Sequence, residues 1–118
     1  MNRKLLGNYG EDLARKEYER CGFTLVERQY HCRFGEIDLI FSKESCLYFV
    51  EVRTKTGTQY GLAEESITSK KIDTIRKVAQ YYMQTKRLQQ MDIQFDVVAI
   101  FISKQEKKAW VKRVAKAF

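Results

Sequence analysis

The sequence predicts a single mixed α/β domain of order α-β-β-β-α-β with a basic tail, its helices flanking a central mixed sheet. Three observations carry that expectation. Two segments repeat apolar residues every three to four positions, four others are rich in β-branched and aromatic residues, and turn-forming residues separate them. The chain has no proline, low-complexity tract or internal repeat, so residues 1–118 are read as one domain without a linker.

The first helix is expected over about residues 6–21, where Leu6, Tyr9, Leu13, Ala14 and Tyr18 form an apolar stripe and Gly22 supplies a stop. Phe23–Tyr30 (FTLVERQY), Glu36–Ser42 (EIDLIFS) and Cys46–Thr54 (CLYFVEVRT) follow as strands, and the short KES turn should pair the last two as a hairpin. After Gly57 and Gly61 comes the longest helix, about residues 67–87. Ser66, Thr68 or Ser69 would cap it, and Ile72, Ile75, Val78, Ala79, Tyr82 and Met83 form its stripe. Gln94–Ile102 (QFDVVAIFI) is apolar on both sides and so central, covered by helices. The basic end, KKAWVKRVAKAF, fits a short helix or an edge strand equally.

Composition narrows the chemistry. With 118 residues the chain can bury roughly two thirds of its unfolded surface, enough for a core without disulfides or structural metal. Its three cysteines match no metal-binding spacing and read as reduced thiols, with zinc at His31 and Cys32 a distant alternative. His31 is the only histidine, which argues against catalysis built on several histidines. No run of about 20 apolar residues spans a bilayer and no apolar leader opens the chain, so the expected compartment is the cytoplasm, with no membrane partner. The net charge of +7 favours a polyanion such as nucleic acid, although charge of that size also serves solubility.

The strand YFVEVRTK poses the functional question, because it carries Glu51 and Arg53 two residues apart within an apolar run. Period-two alternation puts Ile37, Leu39 and Phe41 on one face of the hairpin with Val50 and Val52, meeting in one core. Glu36, Asp38, Glu51 and Arg53 then gather on the opposite side. Like charges ~4 Å apart at an effective dielectric near 20 cost about 4 kcal/mol, so three ionised carboxylates require relief. A hard divalent cation supplies it, and would leave open positions for phosphate oxygens and support in-line phosphodiester displacement, with Arg53 meeting the phosphate charge. A cross-strand ion-pair patch in which Arg53 neutralises Glu51 or Asp38 accounts for the same residues.

The same residues carry a resemblance. GEIDLI followed by YFVEVRTK, with GNYGEDLARKEYERCGF, YGLAEESITSKK, FDVVAI and the ending VAKAF in order, resembles the YraN-like family, uncharacterised protein family 0102. That family is grouped with the restriction-endonuclease-like PD-(D/E)xK nucleases and is similar to Holliday-junction resolvases. The resemblance implies a restriction-endonuclease-like core and a metal-dependent endonuclease, or nuclease-like protein, acting on branched or single-stranded DNA. Asp38 and Glu51 would hold Mg2+ or Mn2+ with the Val52 carbonyl assisting, and Glu11 would be a further ligand or orient a water. A homodimer is implied by analogy with resolvases.

Arg53 departs from the pattern, since the motif ends in a lysine. Arginine supplies charge and bidentate hydrogen bonds but does not give up its proton. Lys55, on the same strand face, and Lys70, at the start of the second helix, are the substitute cations. Arg33, Arg53, Lys55, Lys70 and Lys71 are the candidate phosphate contacts. Tyr60 beside Gly61 is the better base-stacking candidate than Tyr81, Tyr82 or Trp110. The alternative reading is a non-catalytic nucleic-acid-binding or accessory module that kept the fold.

Overall fold

A computed structural model describes residues 3–56 and 67–118. Two helices, α1 (Arg3–Arg20) and α2 (Ser69–Thr85), lie on a five-stranded mixed sheet. The strands are β1 (Thr24–Cys32), β2 (Gly35–Lys43), β3 (Cys46–Thr56), β4 (Asp92–Ser103) and β5 (Lys108–Val114), ordered in space as in sequence. All neighbours pair antiparallel except β3 and β4, which run parallel with α2 between them in the chain. A parallel pair requires such a crossover, and the crossover helix covers one sheet face. The basic tail resolves as an edge strand, paired from Val97↔Val114 to Ser103↔Lys108.

The helix ends follow from local chemistry. α1 stops in a Schellman arrangement: Phe23 N–H donates to Tyr18 O at 3.1 Å, Gly22 N–H donates to Glu19 O at 3.0 Å, and Gly22 takes φ +91°. Thr68 caps α2, its Oγ1 accepting from Lys71 N–H at 3.1 Å. Of the three expected caps Thr68 is the one used, and Ser66 lies outside the described residues.

The core is double, which corrects the expectation that the hairpin buries a single apolar face. Leu39, Phe41, Val50, Val98 and Ile100 pack beneath Ala14 and Tyr18 of α1. Ile37, Ile40, Leu47 and Phe49 pack beneath Ile75, Val78, Ala79, Tyr82 and Met83 of α2. Ile37 therefore faces α2 while Leu39 faces α1, and the two do not share a face as strict alternation predicts. The interruption falls at Asp38. On β1, between the Arg28↔Leu39 and Tyr30↔Ile37 pairs, Gln29 adopts a left-handed φ of 52°, and Gln29 and Asp38 are the residues so bracketed. A left-handed residue turns the strand and re-aims the side chains beyond it.

One buried polar cluster ties the α1 face together. Asp96 on β4 is fully buried and accepts from Tyr18 Oη at 2.6 Å, Arg113 Nε at 2.9 Å, Gln94 Nε2 at 2.9 Å and the Lys116 N–H at 3.1 Å. The Arg113 guanidinium also lies 5.0 Å from the centroids of Tyr18 and Phe23. Asp96 thus links α1, β4, β5 and the segment after it. The strand pattern gave no hint of this role, because an aspartate in an otherwise apolar run shows nothing of partners distant in sequence.

Candidate functional site

The break in alternation is what makes the site. The β2–β3 ladder is regular from Lys43↔Cys46 to Leu39↔Val50. Beyond it Asp38 turns its carboxylate into the seam, where Oδ2 accepts the Val52 N–H at 2.8 Å. A side chain thereby replaces a ladder carbonyl, and Asp38 is fixed at the point where the strands part.

Glu51, the next residue on β3, is 5% exposed. Its Oε2 lies 3.4 Å from Arg53 Nη1 and 3.8 Å from Lys71 Nζ on the first turn of α2. Burial, followed by the negative charge of Asp38 and a hydrogen bond shared with it, raises the Glu51 pKa to about 8 against the pull of Lys71 and Arg53. Two cations at these distances leave the carboxyl proton-hungry, so the neutralisation expected of a simple ion-pair patch is incomplete. Arg53 and Lys71 keep about a third of their side-chain surface exposed, at 34% and 35%.

Glu11 comes from α1. It is only 7% exposed, because Gly10 lets the helix approach β3 closely. A Cβ at Gly10 would collide with Thr54 Oγ1. Arg28 Nε donates to Glu11 Oε1 at 3.3 Å, and Gln29 Nε2 reaches both carboxylate oxygens, at 3.2 and 3.3 Å. Arg28 also donates to Asp12 Oδ1 at 2.7 Å and to the Asn8 carbonyl at 3.2 Å. Burial and the Asp38 charge raise the Glu11 pKa, opposed by Gln29 and Arg28. Asp38 thus acts electrostatically on a carboxyl of the adjacent strand and on one from α1.

A cavity of about 360 Å3 opens beside these groups, with Glu11, Asp38, Val52, Arg53, Lys55 and Arg3 among its walls. The structure therefore brings together Asp38, Glu51, Glu11, Arg53 and Lys55. It does not bring Glu36, which the alternation argument grouped with them: Glu36 pairs with His31 across the β1–β2 end, Oε2 to Nδ1 at 3.1 Å. Lys70 is exposed, and it is Lys71 that reaches Glu51. Arg33 sits in the β1–β2 turn with its guanidinium 4.9 Å from the Phe34 ring centroid. Tyr60 lies outside the described residues. Tyr82 is 2% exposed and belongs to the core. Arg28 and Gln29, which hold Glu11, carried no signal in the local pattern, because they act across a helix–strand contact.

As a cation site the donor set is a pair. Among the described residues no group of three His, Cys, Asp or Glu side chains converges to hold an ion. Asp38 and Glu51 share a hydrogen bond when one is protonated. A divalent ion that keeps most of its waters fits two such carboxylates, and the proton it would displace is held by the burial of Glu51 and, second, by the Asp38 charge. Glu11, engaged by Arg28 and Gln29, fits an outer position. Cys21, Cys32 and Cys46 form no disulfide with one another.

The molecule so described is a mixed α/β domain whose β2–β3 seam carries a carboxylate pair, Glu51 buried and Asp38 half-buried. Its sequence matches Uncharacterised protein family UPF0102 over residues 10–100, and the chain belongs to that family. It is 39% identical to a UPF0102 protein of Pelotomaculum thermopropionicum, over 98% of this chain and 97% of the relative. It is 36% identical to one from Syntrophomonas wolfei, over 100% of both chains. A Clostridium perfringens relative is 38% identical over 82% of this chain and 80% of its own length. Among the described residues no helix is long and apolar enough to cross a membrane.

Proposed function

We propose that this protein is a metal-dependent nuclease of the restriction-endonuclease-like superfamily that hydrolyses phosphodiester bonds in DNA. The observation that carries the reading is the Asp38–Glu51 pair: a carboxyl raised to about 8 next to a second one, beside a cavity walled by Arg53 and Lys55. Asp38 and Glu51 would hold Mg2+ or Mn2+. A cation bound there supplies Lewis acidity, activating water and meeting negative charge on the phosphate. The chain's own residues do the rest. Asp38 is oriented by the Val52 N–H. Arg53 and Lys71 stand beside Glu51 to meet phosphate oxygens, Lys55 extends that positive wall, and Glu11 is oriented by Arg28 and Gln29 to accept a hydrogen bond from water. With arginine at the motif's lysine position, Arg53 acts as a fixed charge, not as a proton carrier.

A second reading has its own support. Arg53 at the lysine position and two cations facing Glu51 suit a DNA-binding module that no longer cleaves. Calorimetric titration with Mg2+ or Mn2+, paired with cleavage of branched, single-stranded and duplex DNA, decides between them. Binding and cleavage both abolished in Asp38→Asn support the nuclease. Salt-dependent DNA binding with no metal uptake at millimolar concentrations overturns it in favour of the module.

A further inference from the structure

α1 leaves one aromatic where its apolar stripe predicts burial. Ala14 and Tyr18 of that stripe are 0% and 1% exposed, but Tyr9 is 42% exposed. With Leu6, Thr56, Ile102 and Lys104 it lines a slot of about 130 Å3. Leu6 is common to this slot and to the cavity holding Asp38 and Glu11, and Thr56 follows Lys55 of that cavity along β3. The slot is therefore the immediate neighbour of the candidate site.

Its composition selects an occupant. An exposed phenol ring and two aliphatic side chains offer a flat apolar surface, and Lys104 adds a cation at its wall. A nucleobase wants the first and its phosphate the second. Lys55 and Arg3 in the adjoining cavity, and the net charge of +7, continue the match to a polyanion. Bases inside a duplex are already stacked and have no free face, so only an unpaired base can use the slot.

We propose that Tyr9 stacks an unpaired DNA base next to the phosphate held at the carboxylate cavity, making DNA with a single-stranded segment the preferred substrate class. The location of that phosphate rests on the nuclease reading above.

The test is binding in EDTA at low salt, using a single-stranded oligodeoxynucleotide carrying 2-aminopurine and the fully duplex form of the same sequence. On wild-type protein the single strand's fluorescence is quenched. Tyr9→Ala abolishes the quench and weakens single-strand binding by about fivefold or more, the equivalent of one base–aromatic stack, while duplex affinity changes less than about twofold. Tyr9→Phe retains both properties. A Tyr9→Ala protein that keeps the quench and the affinity, or that loses single strand and duplex equally, overturns the proposal; an unchanged urea midpoint shows that the variant is folded. Because no metal is present, the two readings fail separately. Tyr9-dependent quenching without Mg2+-dependent cleavage removes the nuclease and keeps the slot, and cleavage with Tyr9-independent binding does the reverse.

Discussion

Glu51→Gln should make the protein less stable in acid and more stable in alkali. The folded chain holds the Glu51 proton up to about pH 8, whereas the unfolded chain releases it near the ordinary 4.5. Between those values the native state binds more protons than the unfolded state, so wild-type stability falls as pH rises. The contribution is complete below pH 4.5, is lost through the window up to about 8, and is flat beyond it. Its steepest slope is ~1.4 kcal/mol per pH unit, and the whole window amounts to a few kcal/mol at a site this buried. Glutamine copies the shape of the protonated acid but does not titrate, so at pH 5 it costs about 1 kcal/mol for an altered hydrogen bond. At pH 9 it removes a charge that the fold holds unwillingly, and the variant becomes the more stable protein. Urea denaturation of both proteins in EDTA at pH 5, 7 and 9 reads the crossing directly. If Glu51→Gln is instead most destabilising at pH 9, then Arg53 and Lys71 already neutralise Glu51 as an ordinary ion pair. Burial and the Asp38 charge would then not outweigh those cations.

Two further outcomes test how the site is supported. Asp96→Ala should cost about 3–5 kcal/mol in urea unfolding, since it strands the Tyr18 hydroxyl and the Arg113 guanidinium, both joined to a fully buried carboxylate; a loss below 1 kcal/mol would refute that role. Gly10→Ala should cost about 1–3 kcal/mol by pushing α1 away from Thr54, and adding Thr54→Ala should recover part of the loss. Additive losses in the double-mutant cycle would show that the two positions do not press on each other.

The elements were legible because each announces itself locally. The stripe of α2, the Thr68 cap, the Gly22 stop and the doubly apolar run of β4 all appear in the structure at or near their expected places. The C-terminal edge strand was ambiguous because Lys108–Val114 is short and half polar, and only pairing with β4 decides its state. Tyr9 was misplaced for a related reason: periodicity identifies the face of a helix but not how far the sheet beneath it extends. The single-core expectation failed because alternation was applied through Asp38, where β2 breaks it opposite the left-handed Gln29.

That interruption also explains why the site's residue types could be read while their arrangement could not. Asp38, Glu51 and Glu11 lie on three elements, and alternation alone would have placed Asp38 on one sheet face with no route to Glu11. By entering the β2–β3 seam and accepting the Val52 N–H, Asp38 lies between the faces, and its charge reaches both Glu51 near α2 and Glu11 on α1. One hydrogen bond lost from the ladder costs about 1 kcal/mol in principle, and Asp38 restores it with its own carboxylate. The fold therefore gives up little ladder stability at this point. The cost is borne by Glu51 and Glu11, whose proton affinities are raised first by burial and then by the Asp38 charge, both of which a bound cation would offset.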